Sequence, residues 1–239
     1  MPGRDAIVSL PAPSGAFSYW AGLLLGRLAP GLVFSVFVVD KLLLTARTWP
    51  AANSGVLALI QFLTQALGLA YFVLLVVLYA VRLPQSASDH RPAIWLASLF
   101  GTFAILAVGV LPESTPHPAL LRLSGVVLLV AMSYTVWALS CLRRSFSILP
   151  EARKLVHQGP YGLSRNPLYL GEALAAVGLV LPQAGAPQVV LLAALLFSQW
   201  VRIHAEERIL ERAFPHQYPS YRDRVPRYLP RPWKLFARV

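Results

Sequence analysis

Apolar residues in this chain gather into blocks about as long as the ~20 residues needed to cross a hydrocarbon core, and short loops between the blocks hold most of the charge. The first block runs from about Tyr19 to Leu44, with Arg27 early enough to snorkel to the near interface, a kink expected at Pro30 and Gly31, and Asp40 and Lys41 marking its far end. The second, about Gly55 to Val81, is long enough to cross with tilt and closes at Arg82 and Pro84. The polar loop PQSASDHRP leads to a third span from Ala93 to Leu111, and PESTPHP leads to a fourth from about Leu120 to Leu142. Asn166 and Pro167 then open a fifth helix, with Asn as the expected N-cap and Pro in the first turn. Its apolar stretch, Leu168 to Leu181, is too short for a straight crossing. After the turn PQAGAP a sixth helix runs from about Gln188 past Trp200 to Arg212 and leaves the apolar zone still helical. The pattern predicts an all-α, polytopic membrane protein with about six transmembrane segments, divided into four N-terminal spans over residues 1–142 and a C-terminal region over 143–239.

Composition strengthens this reading. Hydrophobic residues make up 56% of the chain and charged residues 13%, against roughly 25% charged in ordinary globular proteins. The net charge of +11 points to a membrane surface before nucleic acid, because five of the 21 Lys and Arg lie between Arg143 and Arg165 and nine between Arg202 and Arg238. Basic residues beside spans favour the cytoplasmic, anionic leaflet, so both termini and the two ends of the last hairpin are expected inside. The first fifteen residues hold three prolines and two glycines, which suits a cytosolic tail better than a signal peptide. The tail FPHQYPSYRDRVPRYLPRPW mixes aromatics and arginines as an interfacial segment does, and its prolines exclude a long amphipathic helix. Cys141, the single cysteine, reads as a small buried hydrophobe.

The candidate chemistry sits at the two ends of the last hairpin. Arg202 and Glu206, four apart, share a helix face; alone they read as a structural ion pair. Opposite them, Gly159, Pro160 and Tyr161 form a turn before a helix start, and Asn166, Tyr169 and Glu172 add polar side chains. Ionisable groups in a membrane segment are costly, which makes each a functional candidate whose partner must be found.

KLVHQGPY, then RNPLY, then an apolar hairpin, then RxxxEExxL, then F-x-x-x-Y-x-x-Y-R-x-x-V-P-R resembles the isoprenylcysteine carboxyl methyltransferase and phospholipid methyltransferase superfamily of helical membrane enzymes. The resemblance covers about Arg143 to Trp233. It implies methyl transfer from S-adenosylmethionine, held by the C-terminal region without metal. It implies Arg153, Lys154, Leu155, Val156, Tyr161, Asn166, Pro167, Leu168, Tyr169 and Glu206 as cofactor-binding residues, with Arg202 facing the substrate. Asn166 stands where many members have histidine, so an imidazole role is absent, although an amide still donates and accepts hydrogen bonds.

The chemistry fits those residue types. Catalysis on a sulfonium donor is chiefly alignment of the acceptor with the methyl group and exclusion of water. A carboxylate acceptor, as on an isoprenylcysteine-like lipophilic substrate, is ionised at neutral pH and needs only a cation such as Arg202 to position it. A phospholipid amine or a thiol must lose a proton and so asks for a base; His157 and His204 are the nearest histidines but read as loop or interface residues. The partners expected are a lipophilic or lipidated substrate and membrane lipids, with the site facing the cytoplasm. A nicotinamide-dependent sterol reductase, and a transporter or scaffold, are the competing classes. The first lacks a second phosphate-rich nucleotide site, and the others would line polar residues across the midplane rather than cluster them at one interface.

Overall fold

The computed structural model describes residues 28–49, 55–81, 87–88, 92–111, 118–148, 151–152 and 154–228. As expected, the architecture is helical. The helices are α1 (Ala29–Arg47), α2 (Val56–Val81), α3 (Pro92–Phe103, continued as a 3-10 helix over Ala104–Val110), α4 (Pro118–Leu142), α5 (Pro167–Val180), α6 (Ala186–Ala213) and α7 (Tyr218–Arg224). Two-residue strands β1 (Ala87–Ser88) and β2 (Glu151–Ala152) pair antiparallel and clip two loops together. Four helices, those beginning at Ala29, Val56, Ala119 and Ala186, are long and apolar enough to cross a membrane. The helices over Pro92–Phe103 and Pro167–Gln183 are apolar but shorter. Tyr19, Arg27, Arg82 and Pro84 lie outside the described residues, and the kink expected at Pro30 falls at their edge.

The packing follows membrane logic. Leu32, Val36, Val39 and Leu43 on α1 and Val190, Phe197 and Trp200 on α6 stay exposed, as side chains facing lipid do. Hydrocarbon offers no hydrophobic drive between helices, so association relies on small residues that let backbones approach. The α4–α5 seam is built that way. Ala131, Thr135 and Ala138 of α4 are buried, a Cβ on Gly171 would meet Thr135, its Cα at 3.2 Å, and one on Gly178 would meet Leu128 Cγ at 2.9 Å. Ser124 Oγ donates 2.6 Å to the Gly178 carbonyl across the same seam. Helices α3 and α6 repeat the device, with Ser198 Oγ donating 2.7 Å to the Ala97 carbonyl and Gly101 close against Ser198 and Arg202.

An aromatic and aliphatic cluster of Phe34, Leu75, Leu78, Tyr79, Leu139, Phe146 and Ile148 joins α1, α2 and α4 to the loop after α4. Tyr79 Oη accepts 3.1 Å from the Ile148 amide, which fixes that loop under the bundle. Lys41 does not mark the end of its span. Helix α1 continues to Arg47, and Lys41 Nζ donates 3.3 Å to Gln65 Oε1 of α2, so the cation is taken up between helices.

Adding a side chain at the seam tests this packing. Gly171→Val forces β-branched bulk onto the Thr135 backbone and is expected to lower stability by roughly 1–3 kcal/mol, read as a fall in the detergent-solubilised melting temperature. Gly31→Ala, where nothing lies within 4 Å, is the matched control. Equal melting temperatures for the two variants would show that the seam is not close-packed.

Candidate functional site

Helix α5 leaves one boundary of the apolar zone and α6 returns to it, so residues early in α5 meet residues late in α6. Tyr169, on the first turn of α5, donates its hydroxyl to Glu206 Oε1. Arg202, one turn before Glu206, lies over the Tyr169 ring with its guanidinium carbon 4.9 Å from the ring centroid, a cation–π contact that strengthens where water is excluded. Arg202 Nη2 donates 3.1 Å to the Ile148 carbonyl. Among the described residues its Nε, in a residue 5% exposed, has no hydrogen-bond partner. A buried donor left unpaired costs about 1–3 kcal/mol, so its persistence inside a cavity marks a place for an acceptor atom. Glu172 takes longer bonds, from Tyr71 Oη at 3.4 Å and Gln199 Nε2 at 3.3 Å. Arg202, Glu206, Glu172, Tyr71 and Tyr169 line one cavity, closed by Phe34, Leu75, Thr102 and Leu168.

The adjacent glutamate does different work. About 100° round the helix, Glu207 turns away from the cavity and is 8% exposed. Its carboxylate takes Arg165 Nε at 3.0 Å, Arg227 Nη2 at 2.8 Å and Asn166 Nδ2 at 3.2 Å. Arg165 also donates to the carbonyls of Arg222 and Val225, at 2.8 and 3.1 Å, and its amide to that of Pro226 at 2.9 Å. Arg227 further donates 3.0 Å to His204 Nε2, the acceptor role being set by the His204 Nδ1 contact to the Trp200 carbonyl. This clamp fastens α7 and the strand of tail after it across the G-P-Y turn. Tyr221 Oη completes it, donating 2.7 Å to the Tyr161 carbonyl. Burial, then the nearby Glu206 charge, raises the Tyr161 phenol well above its ordinary value, and burial likewise raises Tyr218 and Tyr221. All three rings therefore remain neutral, as a packed strap requires.

Of the residues singled out in the sequence, Lys154, Leu155, Val156, Tyr161, Asn166, Leu168, Tyr169, Arg202 and Glu206 all line this cavity. Pro167 is buried in the first turn of α5 and is not among the lining residues. Arg153 lies outside the described residues. One expectation needs correction. Asn166 occupies the N-cap position of α5 but makes no side-chain cap; its NH2 group donates instead to Glu207 and to the Arg227 carbonyl at 3.1 Å. In the described part of the tail, Tyr218, Tyr221 and Val225 pack with Leu155 in a buried cluster, while Tyr228 is exposed. Tyr71 and Gln199 escaped the sequence reading. Gln199 shares its helix face with Arg202 and Glu206 by spacing, and that signal was available, whereas Tyr71 sits in an unbroken apolar helix with nothing to mark it.

Fold and site together define a helical membrane protein with a polar cavity at one end of a short hairpin. Residues 119–217, about two fifths of the chain, match the model of the phospholipid methyltransferase family. Among curated proteins, the cobalt-zinc-cadmium resistance protein CzcN of Cupriavidus metallidurans is 37% identical over 78 residues. That stretch is 32% of this chain and 36% of CzcN, so the likeness spans about a third of either protein.

The clamp generates its own test. Glu207→Gln leaves the Arg165 guanidinium, 8% exposed, without its counter-charge, and breaking a buried pair in this way costs on the order of 3–5 kcal/mol. Hydrogen exchange over 218–224 is expected to accelerate in the variant. Unchanged protection there would show that α7 is held by its apolar contacts alone.

Proposed function

We propose that this protein is an integral membrane methyltransferase that uses S-adenosylmethionine and methylates a lipophilic acceptor. The observation that carries the reading is the meeting, in one cavity within the family-matched region, of the Tyr169–Glu206 pair with Arg202 and its unpartnered Nε. S-adenosylmethionine supplies, when bound, a methyl group on a sulfonium, an electrophile that needs no metal. The residues present fit such a ligand. Glu206, oriented by Tyr169, is a carboxylate for its ammonium group, while Lys154, Tyr161 and Asn166 supply polar wall and Leu155, Val156 and Leu168 exclude water. Arg202 is the positioning cation for the acceptor.

Two acceptor chemistries follow from the cavity. In the isoprenylcysteine-like reading, Arg202 grips a substrate carboxylate with its free Nε. A second reading, a phospholipid amine or a thiol, is favoured by the surroundings of Arg202, which shares its cavity with the Glu172 and Glu206 carboxylates. The hairpin end is taken as cytoplasmic, since Arg208, Arg212, Arg222 and Arg224 are exposed around it.

Titration calorimetry of the folded, detergent-solubilised protein is expected to show binding of S-adenosylmethionine without added metal; no interaction with it or with its demethylated product would remove the enzyme reading. Glu206→Gln should weaken that binding more than tenfold, since losing a charge partner in a partly buried site costs about 2–5 kcal/mol. Arg202→Lys keeps the charge but loses the planar fork, so it should leave cofactor affinity nearly intact and slow transfer to a carboxylate. The reverse pattern would exchange the two roles. For orientation, a thiol reagent should reach Ser220→Cys, in a Cys141→Ser background, from the cytoplasmic side; labelling only from outside would invert the topology.

A further inference from the structure

The polar groups of the cavity stand in two tiers. Near the hairpin's open end are Tyr169 and Glu206. Three residues further along α5, about 4.5 Å deeper at 1.5 Å per residue, is Glu172. Seven residues back along α6, about 10 Å from Glu206 on the same estimate, is Gln199, which donates to Glu172. Tyr71 reaches the same carboxylate from α2. Arg202 lies between the tiers, its guanidinium over Tyr169. A water-soluble cofactor enters from the interface and meets the outer tier first, whereas a lipophilic acceptor comes from the bilayer side and meets the inner one.

The inner tier has a definite chemistry. An ionised carboxylate offers about four lone-pair sites and donates nothing. Glu172 has two donors, both at the long end of the hydrogen-bond range, 3.3 and 3.4 Å. It therefore keeps capacity for a further, closer donor on the cavity side. An acceptor carboxylate placed there would face Glu172 with no proton to share, and it would compete with Glu172 and Glu206 for the Arg202 guanidinium.

We propose that Glu172, held by Tyr71 and Gln199, is the acceptor-recognition residue of this site and selects a lipophilic acceptor whose reacting atom carries a hydrogen, an amine or a thiol rather than a carboxylate. This rests on the methyltransferase reading above. The step balances in protons and electrons. The proton that the acceptor carries at neutral pH, on an ammonium nitrogen or a thiol sulfur, passes to a Glu172 carboxylate oxygen, and the lone pair so exposed forms the bond to the methyl carbon. The carbon–sulfur bond of the donor breaks with its electron pair on sulfur, which becomes a neutral thioether, and Glu172 later releases the proton to water.

The test compares three probes of one chain length, n-dodecylamine, n-dodecanethiol and dodecanoate, with the full-length protein in nanodiscs. Probe affinity is measured without cofactor by thermophoresis, transfer is followed with methyl-labelled S-adenosylmethionine, and cofactor affinity is determined separately. Wild type is expected to bind and methylate the amine or the thiol in preference to dodecanoate. Glu172→Gln should weaken binding of the preferred probe at least tenfold and leave cofactor affinity within twofold, which also shows that the variant is folded. Tyr71→Phe, which removes one holder of the carboxylate, should give a smaller loss of the same kind. Preference for dodecanoate, or a Glu172→Gln protein that binds the protic probes as wild type does, would overturn the assignment of Glu172. Absence of cofactor binding in wild type would instead bring down the methyltransferase reading on which it rests.

Discussion

Glu207 is the carboxylate on which the shape of the cavity depends. It draws Arg165 from the segment before α5 and Arg227 from the tail onto one point of α6, and Asn166 joins them. Without that convergence the tail would keep the Tyr221 bond to the Tyr161 carbonyl but lose its ion pairs to α6, which loosens the wall to which Tyr221 and Leu155 belong. A charge so deeply buried is tolerable only because two guanidiniums and an amide share it, since desolvation of an ion in a partial pair exceeds the attraction it gains.

The same rule orders the cavity. Three of the charges lining it have named neighbours: Arg202 has the Tyr169 face and the Ile148 carbonyl, Glu206 has the Tyr169 hydroxyl, and Glu172 has Tyr71 and Gln199. These partners come from α2, α5, α6 and the loop after α4, so the site is a product of the bundle rather than of the last hairpin. Small-residue seams at Gly171, Gly178 and Gly101 bring those helices close enough for short side chains to meet.

Much of this was legible in the chain. Charged residues interrupting apolar runs stand out, so the hairpin, its two polar ends and the membership of Tyr169, Arg202 and Glu206 could be read directly. What could not be read was direction. Glu206 and Glu207 have the same chemistry and adjacent positions, and only the turn of the helix sends one to the cavity and the other to the tail. Asn166 looks like a cap because the N-cap position favours asparagine, yet its NH2 group is drawn to the Glu207 carboxylate and the Arg227 carbonyl, and in that orientation its side-chain oxygen makes no cap. Tyr71 carried no mark, since an aromatic in a long apolar helix is ordinarily packing. In the tail, arginines and aromatics suit a headgroup layer as well as a folded strap, so composition alone could not show that Tyr218 and Tyr221 pack against Leu155.

Helix α5 is shorter than a straight crossing, with fourteen residues in α-helical form, and it contributes to the cavity wall through Leu168, Tyr169 and Glu172. A bilayer meets short spans by thinning around them, at a cost of a fraction of a kcal/mol per Å. The dimple so formed would draw the aqueous boundary down toward the inner carboxylate, shortening the distance over which a polar cofactor must leave water. The thickness of the host membrane thereby becomes a physical variable of the site, as much as the identity of any side chain in it.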